Sequence, residues 1–421
     1  MMRVKVKTSA VVRTAIIIFL SSAVLTGPLR YLLSRVGMYP LIYLPKLLLL
    51  FLIPSLALAQ GKINYVFMLV AALLLISTAW GIANLPSPLQ ALFGIWIIAT
   101  FIFGLYSGAY VLDELSNYRG PFTILFLIAC AGVFLNPYMH YPWVGENISF
   151  AGTELEVARK WSAWSVARYA GFARVSINAA AQLLMFAIWI MCTHARRIWR
   201  LFVWFMAGVG IALTSAKGPI ASYIILTFYF SSGALMRHAI WWRRLWIAIL
   251  QTLVIALVML PISSIYISYN LVYDSFVQRF LLTSLGDRLE WMWPDSLKML
   301  KSTQDWVFGL GLGGIGSAQE FFDPKNFLAG DNMFVFMVVN FGIVVSILFF
   351  LWLTIAISRK FILDNNRLMF AIALFVFSYG IVIDVLDGDG LLALALAWLI
   401  IWASRSPKAS RLQFMSAPAS R

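Results

Sequence analysis

The stretch LAGDNMFVFMVVNFGIVVSILFFLWL, from Leu328 to Leu353, opens on an Asp-Asn pair, Asp331 and Asn332, and then runs almost without polar interruption. About 20 mostly apolar residues wound as a helix cross the hydrocarbon core of a bilayer, and this run is long enough. It reads as a membrane span with a carboxylate at its mouth. A carboxylate in that position is either the N-cap of the helix or a functional base.

The rest of the chain is of the same kind. Its 421 residues are 62% hydrophobic and 12% charged, with a mean hydropathy of +0.87, which no soluble globular domain of that size shows. The apolar runs are continuous rather than alternating, so the expected fold is all-α, a polytopic membrane protein whose backbone bonds within its helices. About twelve spans are expected, at roughly 14–33, 40–59, 63–84, 88–110, 121–138, 177–193, 198–214, 218–235, 242–268, 332–357, 367–384 and 388–404. Together they make residues 1–421 a single multi-span membrane domain. The first span follows a basic RVKVK, but no A-x-A-like cleavage site follows its apolar part, so it is expected to be retained.

Basic residues near span ends stay in the cytoplasm, and this bias sets orientation. With both termini inside, the cytoplasmic ends gather Arg3, Lys5, Lys7 and Arg13, then Arg196, Arg197 and Arg200, then Arg237, Arg243 and Arg244, and finally Arg405, Lys408, Arg411 and Arg421. Of the 17 acidic residues, only Asp113, Glu114 and Asp364 then fall inside. The net charge of +15 reflects cytoplasmic loops meeting anionic membrane lipid, and no nucleic-acid partner is invoked. Cys130 and Cys192 fall in apolar spans, which indicates neither a disulfide framework nor a thiolate metal site.

Two segments between spans are long, 139–176 and 269–331, and both fall outside. The first leads into RYAGFARVSINAAAQLL, where Arg168 and Arg174 stand just before a span. A guanidinium there meets lipid phosphate or an anionic substrate with a two-pronged fork, although a single interfacial arginine also snorkels with no further role. LTSAKGPIAS places Lys217 on an outer turn, next to the start of a helix whose free N–H groups attract anions.

GDRLEWMWPDSLKMLKSTQDWVFGLGLGGIG carries Arg288, Glu290 and an apolar stripe of Leu289, Met292, Trp293, Leu297 and Leu300, expected as an interfacial helix broken near Pro294. Trp291, Trp293 and Trp306 suit the headgroup level. Gly309, Gly311 and Gly314 match GxGxxG literally, but without a βαβ unit a dinucleotide site is rejected in favour of a flexible loop beside a substrate. Asp384, Asp387 and Asp389 offer carboxylates for a cation, or simply a turn.

Four of these features share the outer face, so anion-binding bases can converge there with the Asp331 carboxylate. In order and sidedness they resemble the O-antigen ligases and the Wzy-type O-antigen and exopolysaccharide polymerases of bacterial inner membranes. RYAGFARVSIN is similar to that superfamily's Arg-x-x-Gly segment with a following Asn, and TSAKGP to its Ser-Arg-Gly turn, with Lys217 where an Arg is usual. GDRLEWMWPDSLKM followed by GLGLG is similar to its Arg, Trp and G-x-G stretch, and DNMFVFMVVNFG to its His-Asn segment. The match covers roughly 165–355.

The resemblance implies a multi-span glycosyltransferase of the inner membrane, with a periplasmic active site, no cofactor and no metal. Its substrate would be an undecaprenyl-diphosphate-linked oligosaccharide, and a Wzz-like chain-length regulator its partner. Arg168, Arg174, Lys217 and Arg288 would hold the diphosphate, Arg288 and Asp331 would act in catalysis, and Asn332, Glu290 and Gly311 would line the acceptor or the loop. Asp331 stands where ligases carry a His, which favours a polymerase over a ligase acting on lipid A core. A lipid-linked oligosaccharide flippase is the alternative outside enzymology; transporters keep ionisable groups near the bilayer midplane, and here Lys46 is the one basic residue placed well within a span.

Overall fold

The computed structural model describes residues 2–60, 64–150, 153–163, 166–233, 236, 239–269, 271, 273–388 and 390–405. Asp389, Arg237, Lys408, Arg411 and Arg421 lie outside the described residues. The protein is 77% helical. Among the described residues eight helices are long and apolar enough to cross a membrane: Tyr39–Leu58, Tyr65–Asn84, Pro88–Asp113, Leu115–Leu135, Ser176–Thr193, Arg197–Thr214, Ile240–Tyr266 and Ile343–Asp364. Arg367–Gly380 and Gly390–Ser404 are apolar but shorter.

The expected first span is bent by 80° between Thr8–Val24 and Thr26–Arg35. Pro28 has no N–H to continue the first helix, and the Thr26 hydroxyl bonds back to Ser22 O and Ala23 O at 2.9 and 2.7 Å. Arg30 therefore lies beyond the bend.

Burial divides the helices into a centre and a rim. Along Gly390–Ser404 every side chain from Leu391 to Trp402 is buried, and Arg367–Gly380 and Ser176–Thr193 are nearly as enclosed. Close approach depends on small residues. A Cβ on Gly104 would stand 2.7 Å from Ala397 Cβ, and one on Gly108 3.0 Å from Ile401 Cγ1, so Ala99–Asp113 lies directly on Gly390–Ser404. The rim helices instead turn large apolar side chains outward, as at Leu58, Phe51, Ile76 and Phe228, the pattern of a surface solvated by lipid.

Three further elements differ from expectation. The span expected at 332–357 is two helices, Met333–Phe341 and Ile343–Asp364, because Gly342 takes φ +82° and a Cβ there would collide with Val307 O. Nine residues reach only about 14 Å, so Met333–Phe341 is too short to cross by itself.

The segment 139–176 contains short antiparallel hairpins, Asn147–Phe150 with Thr153–Glu156 and Ser162–Ala163 with Val166–Ala167. In the first, Ile148 faces Leu155 while Asn147, Ser149, Glu154 and Glu156 alternate with them, a period of two that hydropathy alone passes over.

The helical segment Arg288–Lys298 runs on past Pro294, which occupies its first-turn position after a π-helical turn at Arg288–Met292. Its stripe of Leu289, Trp293, Leu297 and Leu300 is buried. Trp293 is fully enclosed and is not a headgroup anchor.

Six ion pairs form among the described residues, and each joins residues that the charge pattern assigns to one face. Arg13–Glu114, Lys360–Asp364 and Arg405–Asp113 belong to the expected inner face. Arg35–Glu146, Arg288–Asp331 and Lys298–Asp295 belong to the outer.

Candidate active site

The site is assembled around the start of Met333–Phe341. Asn332 is its N-cap: the backbone is extended there, and Oδ1 accepts from Phe334 N at 2.7 Å and Val335 N at 3.1 Å. Its Nδ2 donates to Leu257 O at 3.2 Å and Ile381 O at 3.0 Å, so a fully buried amide uses all four of its hydrogen-bonding positions. Asn332 is therefore a structural tie between three elements. Asp331, one residue earlier, is released from capping.

The Asp331 carboxylate turns instead to Arg288, whose Nη2 donates to Oδ2 at 2.8 Å. Arg288 Nη2 also donates to Val382 O at 3.1 Å, and Nη1 donates to Ser284 O at 2.6 Å and to Ser284 Oγ. The guanidinium is held from three directions, and its Nε is buried without a partner. The Arg288 side chain is 12% exposed and that of Asp331 32%, so the carboxylate keeps an open side. Trp293 Nε1 donates to the Asp331 carbonyl at 3.3 Å and fixes the backbone beneath it.

Arg168 and Lys217 reach the same place through backbone ties. Tyr169 N donates to Leu213 O, joining the Arg168 segment to the Thr214–Lys217 turn, where Ser215 adopts φ +51°. A Cβ on Gly218 would lie 2.6 Å from Val382 Cγ2, so the turn is seated on the residue whose carbonyl holds Arg288. Burial and then the Arg288 charge lower the Arg168 guanidinium below its ordinary value. Burial, then the charges of Arg168 and Arg288, lower the Lys217 ammonium, against an opposing pull from Asp287.

Neither cation has a carboxylate within ion-pair distance among the described residues. Each rests on an aromatic ring: Arg168 on Trp161 at 4.5 Å and Lys217 over Phe280 at 5.2 Å. Of the three cations, Arg288 holds the Asp331 carboxylate, while Arg168 and Lys217, near enough for the Arg288 charge to act on them, sit on aromatic seats worth only about 0.5–1 kcal/mol each.

Other expected site residues lie elsewhere. Arg174 is exposed and separates from Arg168 because Gly171, at φ +63°, turns the chain and packs against the backbone of Gly132 and Val133. Glu290 is exposed, and its Oε1 accepts from Leu271 N at 3.3 Å, which ties the loop rather than facing Asp331.

Gly311 belongs to a buried cradle rather than a flexible loop. Gly313 N and Gly314 N donate to Asn340 Oδ1 at 2.9 and 3.1 Å, Leu312 N donates to Ser77 O at 3.1 Å, and Gln90 Nε2 donates to Gly313 O at 2.8 Å. A Cβ on Gly311 would collide with the Gly81 backbone. The glycines let this segment lie flat on Tyr65–Asn84 and Pro88–Ile97.

The Asp384 and Asp387 oxygens are likewise occupied by backbone. Asp384 accepts from Leu386 N and Asp387 N, each at 2.9 Å, and Asp387 accepts from Ser317 N at 2.7 Å. Among the described residues no group of three His, Cys, Asp or Glu side chains is disposed to hold a metal ion. Lys46 donates to Ile97 O at 3.0 Å over the Trp96 ring.

Sequence reading missed Asn340, Ser284 and Val382. Asn340 stands in the opening stretch, and Ser284 lies one helical turn before Arg288, a spacing that could have been read. Val382 offers only a carbonyl and has no sequence mark. Comparison with protein-family models, with curated proteins and with solved structures finds no match.

Proposed function

We propose that the protein is a polysaccharide polymerase of the bacterial inner membrane, which transfers a glycan from undecaprenyl diphosphate to a lipid-linked repeat unit at the periplasmic face. About twelve passes with both termini in the cytoplasm and 269–331 as a periplasmic segment are part of this proposal, and the ion pairs that join different segments between spans, Arg13–Glu114, Arg405–Asp113 and Arg35–Glu146, support its sidedness. The observation that carries the function is a group of three cations, with Arg168 and Lys217 near enough to feel the Arg288 charge, beside an Arg288–Asp331 pair whose carboxylate is one-third exposed.

Magnitudes favour a polyanion in that space. A charge pair 4 Å apart near a protein surface is worth about 4 kcal/mol, against less than about 1 kcal/mol for an exposed cation on a ring. A diphosphate draws Arg168 and Lys217 off Trp161 and Phe280. It also competes with Asp331 for Arg288, and a carboxylate relieved of its guanidinium becomes the better base.

In the reaction the acceptor hydroxyl attacks the anomeric carbon of the donor glycan. A new C1–O bond to the acceptor forms as the C1–O bond to phosphate breaks, and the electron pair leaves with undecaprenyl diphosphate. The hydroxyl proton passes to Asp331 and then to water. Arg288, Arg168 and Lys217 meet the charge that grows on the leaving group, a contribution of about 3–4 kcal/mol for one well-aimed donor.

The test is polymer formation by purified protein with its lipid-linked repeat unit, wild type beside Arg288→Ala and Asp331→Asn. A ladder of products from wild type and none from either variant supports the reading. Movement of lipid across a bilayer without new glycosidic bonds overturns it in favour of a flippase.

A further inference from the structure

We infer that Arg30 and Arg174 form a second site for a lipid diphosphate, which serves the acceptor substrate; that role rests on the polymerase reading. Arg30 is only 8% exposed, and its Nε and Nη1 are buried with no hydrogen-bond acceptor. It lies over the Tyr39 ring at 5.8 Å. The guanidinium of Arg174 is near enough for its charge to act on both Arg30 and Tyr39.

The neighbourhood is built rather than incidental. Gly27 N donates to Phe172 O at 2.8 Å, and a Cβ on Gly27 would stand 2.8 Å from the Trp143 ring. Thr26–Arg35 is thus docked on the segment that carries Arg174. Among the described residues no carboxylate pairs with either arginine; the one acid bonded to this helix, Glu146, is held by Arg35 at 2.8 Å. A guanidinium nine-tenths buried with unused N–H groups, on a helix docked against the segment that carries Arg174, calls for an anion that accepts several hydrogen bonds at once. Phosphate oxygens match that fork.

A lone interfacial arginine that snorkels to bulk headgroups keeps its charged end in water. The charged end of Arg30 is covered.

Position decides which substrate the second site takes. Arg168 and Arg174 are six residues apart, so their Cα atoms are within about 20 Å of each other. The two cationic groups therefore lie within the reach of a short oligosaccharide. An enzyme that joins two lipid-linked glycans must hold two diphosphates, one at the anomeric carbon under attack and one at the far end of the acceptor. A ligase acting on lipid A core needs one.

The experiment counts undecaprenyl diphosphate molecules bound to the full chain in neutral-lipid nanodiscs by native mass spectrometry, beside a polymerisation assay. Two molecules are expected on wild type and one on Arg174→Gln, an exposed position where loss of folding is not expected, with at least a tenfold rise in KM for the repeat unit. Arg30→Gln should match it, Arg168→Gln should lose the other molecule, and the combined variant Arg168→Gln with Arg174→Gln should bind none.

Polymer from a wild type that binds a single molecule, or two molecules still bound by Arg174→Gln, overturns the second site while leaving the polymerase reading intact. Two molecules on wild type, one on Arg174→Gln and no polymer leave the site standing and remove the polymerase reading. Displacement of the Arg174-dependent molecule by phosphatidylglycerol at equal concentration overturns the acceptor assignment in favour of a bulk-lipid seat. Displacement by inorganic pyrophosphate but not by phosphatidylglycerol supports it.

Discussion

Arg288 and Asp331, 43 residues apart in sequence, meet through a 2.8 Å hydrogen bond from Nη2 to Oδ2, with the arginine almost enclosed and the carboxylate one-third open. The asymmetry says which partner is fixed. Ser284 and Val382 hold the guanidinium, so the diphosphate of the proposed substrate would meet a preset donor and displace the freer carboxylate. An ammonium cannot reproduce three directions of donation from one plane. Arg288→Lys should therefore raise the Kd for undecaprenyl diphosphate at least tenfold and lower kcat/KM by roughly 10²–10³. Parallel binding and turnover assays check this; a lysine variant with unchanged kcat/KM would show that the fork is not used.

Asn332 is expected to govern stability. Replacing it with Ala unsatisfies two helix N–H groups and the carbonyls of Leu257 and Ile381, and about 2–4 kcal/mol should be lost. Asn332→Asp keeps the cap but sets a carboxylate against both carbonyls, and should also destabilise. Thermal unfolding in detergent distinguishes the two roles: a purely catalytic Asn332 leaves Tm unchanged in both variants.

The glycine cradle makes a paired comparison possible. Gly311→Ala forces a Cβ into the Gly81 backbone at φ +92°, and the variant should lose several degrees of Tm or fail to fold. At Gly120, by contrast, a Cβ meets nothing within 4 Å, and Gly120→Ala should be neutral or stabilising by up to about 1 kcal/mol. Equal Tm values for the two alanine variants would mean that the Gly309–Gly316 segment is not packed as described.

Much of this was legible in the sequence, and the failures have local causes. Continuous apolar runs fixed helices, and the Asp-Asn pair marked the right helix start. Which of the two caps was not legible, because only an amide both accepts from Phe334 N and donates to Leu257 O and Ile381 O, carbonyls 75 and 49 residues away in the chain. Arg168 and Arg174 read as one cluster by spacing, but the left-handed turn at Gly171 sends them to different neighbours. The glycine triplet read as mobile because glycine permits motion. It equally permits the close packing found here.

Lys217 gives a signature in pH. Its folded value is lowered by burial and by Arg168 and Arg288, so between that value and the ordinary lysine value of about 10.4 the folded chain holds fewer protons than the unfolded one. Its contribution is therefore a penalty on the folded state at neutral pH, relieved as pH rises through that window. A bound diphosphate supplies negative charge and restores the proton. Calorimetry between the lowered and the ordinary lysine value, in buffers of different ionisation enthalpy, should show proton uptake on binding that Lys217→Met abolishes. Identical uptake by the variant would place the titrating group elsewhere.

If Asp331 takes the acceptor proton once a diphosphate has claimed Arg288, as proposed, single-turnover glycan transfer by Asp331→Asn at saturating lipid-linked substrate tests it without intermediate steps. Undecaprenyl diphosphate should bind at least as tightly as to wild type, since its competitor for Arg288 is gone, while transfer falls by roughly 10²–10⁴. Transfer at the wild-type rate would contradict it.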